Sequence, residues 1–139
     1  MRIINLAVCL GFLLLFPSIS IAQDEEGGAG ASSSRYMDLT PAFIVNYGGA
    51  GKLRYLKTDI ALRVGGDSVG PNSIRHHMPY IRHALVMRLS RATEEELASM
   101  EGKELLRQEA LEAVRDILVK EEGVHYVEDL LFNSFIVQR

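Results

Sequence analysis

Cysteine is nearly absent from this chain of 139 residues, which contains one, Cys9. A single thiol cannot form a disulfide within the chain. Cys9 sits inside an apolar run near the amino terminus, so it is poorly placed for lipid attachment. If that run is removed, no thiol remains for nucleophilic chemistry. Tryptophan is absent altogether. A basic excess is missing too, with 15 Lys and Arg against 18 Asp and Glu and a net charge of −3. No global basic field exists to hold nucleic acid, and that partner class is excluded. No G-x-S-x-G occurs, and Ser68, Ser73 and Ser90 have no His–acid arrangement that sequence reveals. Paired carboxylates occur only as helix-surface charge. The reading is a non-enzyme with no catalytic, cofactor-binding or metal residues and no cofactor. Beyond residue 22 nothing resembles a membrane span.

What is present begins with the first 22 residues. Met1-Arg2 is followed by an apolar run from Ile3 to Phe16, then Pro17 and a small-residue ending at Ser20 and Ala22. This is a secretory signal pattern. It places the remainder outside the cytoplasm, away from nucleoside triphosphates and reducing glutathione. Ile3 to Phe16 as a helix covers roughly 21 Å at about 1.5 Å per residue. That is short of the bilayer core of about 30 Å, and Pro17 discourages continuation. A helix from Ile3 to Ala22 reaches roughly 30 Å and serves as an anchor. Two expectations therefore stand: residues 1–22 are a signal peptide cleaved before Gln23, or an inner-membrane anchor. Residues 23–35 read as a flexible linker, acidic at Asp24, Glu25 and Glu26 and then rich in Gly, Ala and Ser. Its root-mean-square reach is roughly 20 Å. Residues 36–139 form one domain of about a hundred residues, enough for a single core.

The domain reads as α+β. Phe43, Val45 and Tyr47 alternate with Ile44 and Asn46, which is strand spacing. Gly48-Gly49-Ala50-Gly51 is a turn, and Leu56, Thr58, Ile60, Leu62 and Val64 form one face of a second strand. Lys57, Asp59 and Arg63 mark a solvated opposite face. A hairpin over Tyr36 to Val64, ended by Gly65-Gly66-Asp67, follows. Ile74, Met78, Ile81, Leu85 and Leu89 make a helical stripe, with a kink or start near His77 because of Pro79. Thr93-Glu94-Glu95-Glu96 is a capping box for a short helix through Ala98. Ser99 caps a longer helix from Glu101 to about Lys120, stopped by Gly123. Its stripe is Leu106, Ala110, Ala113 and Ile117, widened by Leu111, Val114 and Leu118. Tyr126 to Arg139 is apolar at both parities and reads as a central strand covered on two sides. The expected architecture is an antiparallel sheet, hairpin plus C-terminal strand, packed with two to three helices.

Three patterns invite a functional reading. Gly48 to Lys52 suggests a phosphate loop, but Asn46 and Leu53 occupy positions that need Gly and Ser or Thr. It also joins strand to strand, so a plain turn is the better reading. His76, His77 and His83 cluster, yet no acid lies between Asn72 and Ala92 and a zinc site needs closer, supported ligands. Packing or solvated histidines fit better than a metal site. Arg75, Arg82, Arg88 and Arg91 make one helix basic. Glu94, Glu95, Glu96, Glu101, Glu104, Glu109, Glu112 and Asp116 make the next region acidic. Either these are solvated faces, or they match copies of the domain or an acidic partner by charge.

Three stretches taken together are similar to a known family: Asp38–Asn46, with Pro41 and Phe43; His77–Val86, with Pro79, Arg82 and Leu85; and Glu101–Arg107. The ending Val127–Gln138 completes the pattern. The chain resembles the flagellar basal-body-associated FliL family over roughly Tyr36 to Arg139. That resemblance implies a periplasmic domain of stomatin-like α+β fold at the inner membrane. It also implies homo-oligomeric ring assembly around stator proteins of the MotA/MotB type, with support of torque, swimming and swarming. It brings no catalytic residues or cofactors. The alternative is a general periplasmic stomatin-like scaffold, or a soluble FliL paralogue not tied to the motor.

Overall fold

The computed structural model describes residues 34–49, 54–66 and 68–139. Its strands are β1 (Arg35–Asp38), β2 (Phe43–Asn46), β3 (Tyr55–Val64) and β4 (Val127–Gln138). Between β3 and β4 lie α1 (Val69–His76), α2 (Met78–Ser90), α3 (Glu94–Ala98) and α4 (Met100–Glu122). The fold is the expected α+β arrangement of an open antiparallel sheet with helices. The segment expected as one hairpin contains a further short strand, β1. Both β1 and β2 pair with β3, at Val64 to Ala61 and at Thr58 to Tyr55 respectively. They form one edge, interrupted around Pro41, a residue without an N–H to give to a ladder.

The C-terminal strand differs from its expected place. Here β3 is central, and β4 pairs with β3 alone. The two-sided apolar pattern of β4 has a different cause. Register shifts between Asp59 and Ile60 and between Arg63 and Val64 place Asn133 and Glu128 as extra residues on β4. Each extra residue reverses the side-chain parity. Val127, Leu130, Phe132, Phe135 and Val137 therefore all stand opposite Val64, Leu62, Ile60, Thr58 and Leu56, and all belong to the core or pack against it. The outward face of β3 is solvated at Lys57 and Asp59, as the alternation predicts. Thr58, the polar residue of the inward face, is fully buried and donates to the Ser134 carbonyl at 2.7 Å.

The helices cover the inward face. The stripe from Ile74 to Leu89 is shared by two helices, because the chain breaks at His77. Pro79 lies in the first turn of α2, where a missing N–H leaves no bond unmade. Ile81, Leu85 and Leu89 are completely buried. In α4 the buried stripe is Leu106, Ala110, Leu111, Val114 and Leu118, with Ala113 and Ile117 only half-buried at its margin. Gly123 ends the helix in the left-handed region, φ +77°, where its lack of a Cβ removes the steric cost.

The capping box is present in full. The Thr93 hydroxyl accepts from the Glu96 amide at 3.2 Å, and the Thr93 amide donates to the Glu96 carboxylate at 2.8 Å. Replacing Thr93 by alanine is expected to cost about 1 kcal/mol, read as a lowered midpoint in urea. The Thr93 amide, helped by Arg88, holds the Glu96 carboxyl below its usual 4.5. A lowered folded-state value means the contribution is complete above that pH and fades as pH falls through the lower value. The stability gap between the native chain and Glu96→Gln should accordingly close in acid. A gap that stays constant between neutral and strongly acid pH would contradict this.

Candidate interaction surface

The residues singled out for metal or phosphate chemistry do not converge. His77 is buried at the α1–α2 break and its Nε2 lies 2.7 Å from the Glu122 carboxylate, at the end of α4. His76 meets it edge-on, with ring centroids 4.8 Å apart, and is itself exposed, as is His83. His77 thus ties the helix break to α4, a packing role. Among the described residues no three His, Cys, Asp or Glu groups gather as metal ligands. Gly48 and Gly49, both at φ +79°, follow β2, and β2 is antiparallel to β3, so the segment is a hairpin connection. Residues 50–53, including Lys52, lie outside the described residues. Ser73 is buried and its carbonyl accepts from the His77 amide at 3.0 Å. Among the described residues, no imidazole hydrogen-bonds the hydroxyl of Ser68, Ser73 or Ser90; the contact of Ser73 with His77 is between backbone groups.

The basic and acidic helices largely answer each other within one chain. Arg88 donates to Glu96 at 2.9 Å and also to Glu109. Arg82 donates to the Leu39 carbonyl at 3.1 Å and lies 4.1 Å above the Phe43 ring. Arg54 pairs with Glu94 at 2.7 Å, and Arg139 approaches the same carboxylate at 3.3 Å. Arg107 binds Glu104 and Asp129 together, and its hydrogen bond draws the Glu104 carboxyl down to about 2. Apart from Arg107 and Glu104, these partners lie eight to forty-five residues apart, so sequence shows the charges and not the pairs. Replacing Arg88 by methionine leaves two carboxylates without their cation. A loss of about 1–2 kcal/mol is expected after allowing for partial exposure, measurable by urea denaturation. An unchanged midpoint would mean that water serves Glu96 and Glu109 equally well.

What remains exposed is the part that can meet a partner. On α2 this is Tyr80, His83 and Met87, with Arg91 just past its end, and on α4 Glu101, Leu105, Glu112, Asp116 and Val119. The outer sheet face carries Ile44, Tyr55 and Ile136 around Lys57, lining a shallow depression. Among the described residues these surfaces gather no metal-ligand set. No helix among the described residues is long and apolar enough to cross a membrane, and residues 3–22 are outside that set.

Residues 36–138 match the family model for the flagellar basal body-associated protein FliL. The chain belongs to the FliL family. It is also 33% identical over 100 residues to the flagellar protein FliL of Aquifex aeolicus (strain VF5), an overlap of 72% of this chain and 59% of that relative. The chain therefore spans little more than half the length of that curated relative. The family is described as flagellar basal body-associated. The stretches that carry the FliL likeness also meet in space. Arg82 of the second reaches Leu39 and Phe43 of the first. Arg107 of the third reaches Asp129 and the Leu130 carbonyl of the fourth. They are joints of the fold, holding α2 to β2 and α4 to β4.

Proposed function

We propose that this chain is a flagellar accessory protein that acts by contact and carries no chemistry of its own. In this reading residues 36–139 stand in the periplasm. Residues 23–35 link them to residues 1–22, which either anchor the domain in the inner membrane or are removed after Ala22. The domain assembles in a homo-oligomeric ring around stator proteins of the MotA/MotB type and supports torque in swimming and swarming. A stomatin-like shape belongs to the same reading. The observation that carries it is the family match over residues 36–138, which takes in every strand and helix of the domain apart from Arg35. The exposed α2 and α4 stripes support it, since they offer apolar and charged groups without a reactive set. The test is deletion of the gene, followed by swimming speed in viscous medium and swarming on soft agar. Both should fall, and an intact copy should restore them. Motility unchanged under load would remove the motor from the account and leave a general periplasmic scaffold.

A further inference from the structure

The outer sheet face holds a cation that no described residue answers. Lys57 of β3 stands opposite Ile44 of β2 on one side and Ile136 of β4 on the other. The three side chains form one row across the sheet, with Lys57 in the middle. The next row is Asn46, Tyr55 and Gln138, which carries no charge. A cross-strand neighbour of opposite sign stabilises a lysine on a sheet. Here both direct neighbours are isoleucines, 65% and 50% exposed. The other charges on the outward face of β3 are engaged. Asp59 accepts from the Ser134 hydroxyl at 2.5 Å, and Arg63 lies 3.3 Å from the Glu128 carboxylate. Lys57 has neither a carboxylate nor a carbonyl partner among the described residues.

Ile44, Tyr55, Lys57, Ile136 and Gln138 line a depression of about 490 Å³. Small-ligand sites span about 300–1,000 Å³ and are mostly apolar, with a few placed polar groups. The two isoleucines stand about 10 Å apart, two strand spacings, on strands whose register fixes them. Hydrocarbon alone would strip water from an unpaired ammonium, which is costly. A carboxylate alone would form an exposed ion pair, which contributes little. A molecule with both parts covers the isoleucines and answers the ammonium at once.

We propose that the row Ile44–Lys57–Ile136 binds an amphiphilic carboxylate of the fatty-acid class, with its head on the Lys57 ammonium. Its hydrocarbon body lies over the isoleucines and the Tyr55 ring. The contact is noncovalent. It goes beyond the motor reading and stands whether or not the domain acts at a flagellum.

The test uses the full chain with isotope-labelled isoleucine methyl groups, titrated separately with octanoate, octanol and acetate and followed by NMR. Ile44→Val and Ile136→Val assign the two signals. Octanoate should shift both at concentrations several-fold below those octanol needs, and acetate should leave them in place. The buried Ile60, Ile74 and Ile81 should stay still. Lys57→Gln, with unchanged circular dichroism, should respond to octanoate and octanol alike. Equal responses to the two in the native chain would overturn the proposal. So would shifts confined to the isoleucines of residues 1–22, or a row that ignores octanoate and shifts only with an acidic peptide.

Discussion

Replacing Gly102 by alanine is expected to destabilise the domain by about 3 kcal/mol, although alanine is the better helix former. Gly102 sits in the first turn of α4, where its amide donates to the Ser99 hydroxyl at 2.9 Å. On propensity alone the substitution should stabilise by about 1 kcal/mol. A Cβ at this position would lie 2.5 Å from the Glu96 Cα and 2.8 Å from its carbonyl carbon, and against its carbonyl oxygen. These are backbone atoms and cannot rotate aside. Relief requires α3 to lift from α4, which strains the Thr93–Glu96 box and uncovers Leu97, a core residue. Urea denaturation of both forms decides the sign. Equal or greater stability of Gly102→Ala would show that α3 does not rest on α4 in this way.

Phe43→Ala is expected to cost about 4 kcal/mol. The ring is almost fully buried on the inward side of β2, with the Arg82 guanidinium 4.1 Å above it. Truncation leaves a cavity between β2 and α2 and removes the cation's aromatic partner. Ile44, the next residue, points outward and is 65% exposed. Ile44→Ala should therefore change stability by less than about 0.5 kcal/mol. Two neighbouring large-to-small changes thus differ several-fold in effect because strand side chains alternate in direction. Similar losses at the two positions would contradict the register of β2 on β3. Neither variant should be judged by motility alone, since a partly unfolded Phe43→Ala would lose function for want of a fold.

The features legible in the sequence were local ones. Thr93 with Glu96, Ser99 before α4, Gly123 after it and the Ile74-to-Leu89 stripe each rest on residues within a turn or two of one another. The sheet was legible only where alternation was unbroken, as in β2 and β3. In β4 the extra residues at Glu128 and Asn133 reversed the parity twice, so one apolar face looked like two. A bulge has no signature in hydropathy, because any residue can be the extra one. The ionic partners were illegible for a related reason. Arg88 and Glu109, Arg107 and Asp129, and His77 and Glu122 are brought together by the tertiary fold. What looked like a basic helix facing outward is partly an internal brace. The family, in contrast, was readable from four short stretches, and Leu39, Phe43, Arg82 and Arg107 within them brace the fold.

The central proposal is that this FliL-family domain works by its place at the flagellar base. The most direct measurement is the position in living cells of the full chain carrying a C-terminal fluorescent protein, imaged with a labelled basal-body component. The account predicts discrete foci coincident with flagellar bases, weakened when the stator is absent. A uniform signal around the cell, with flagella and stator intact, would contradict it.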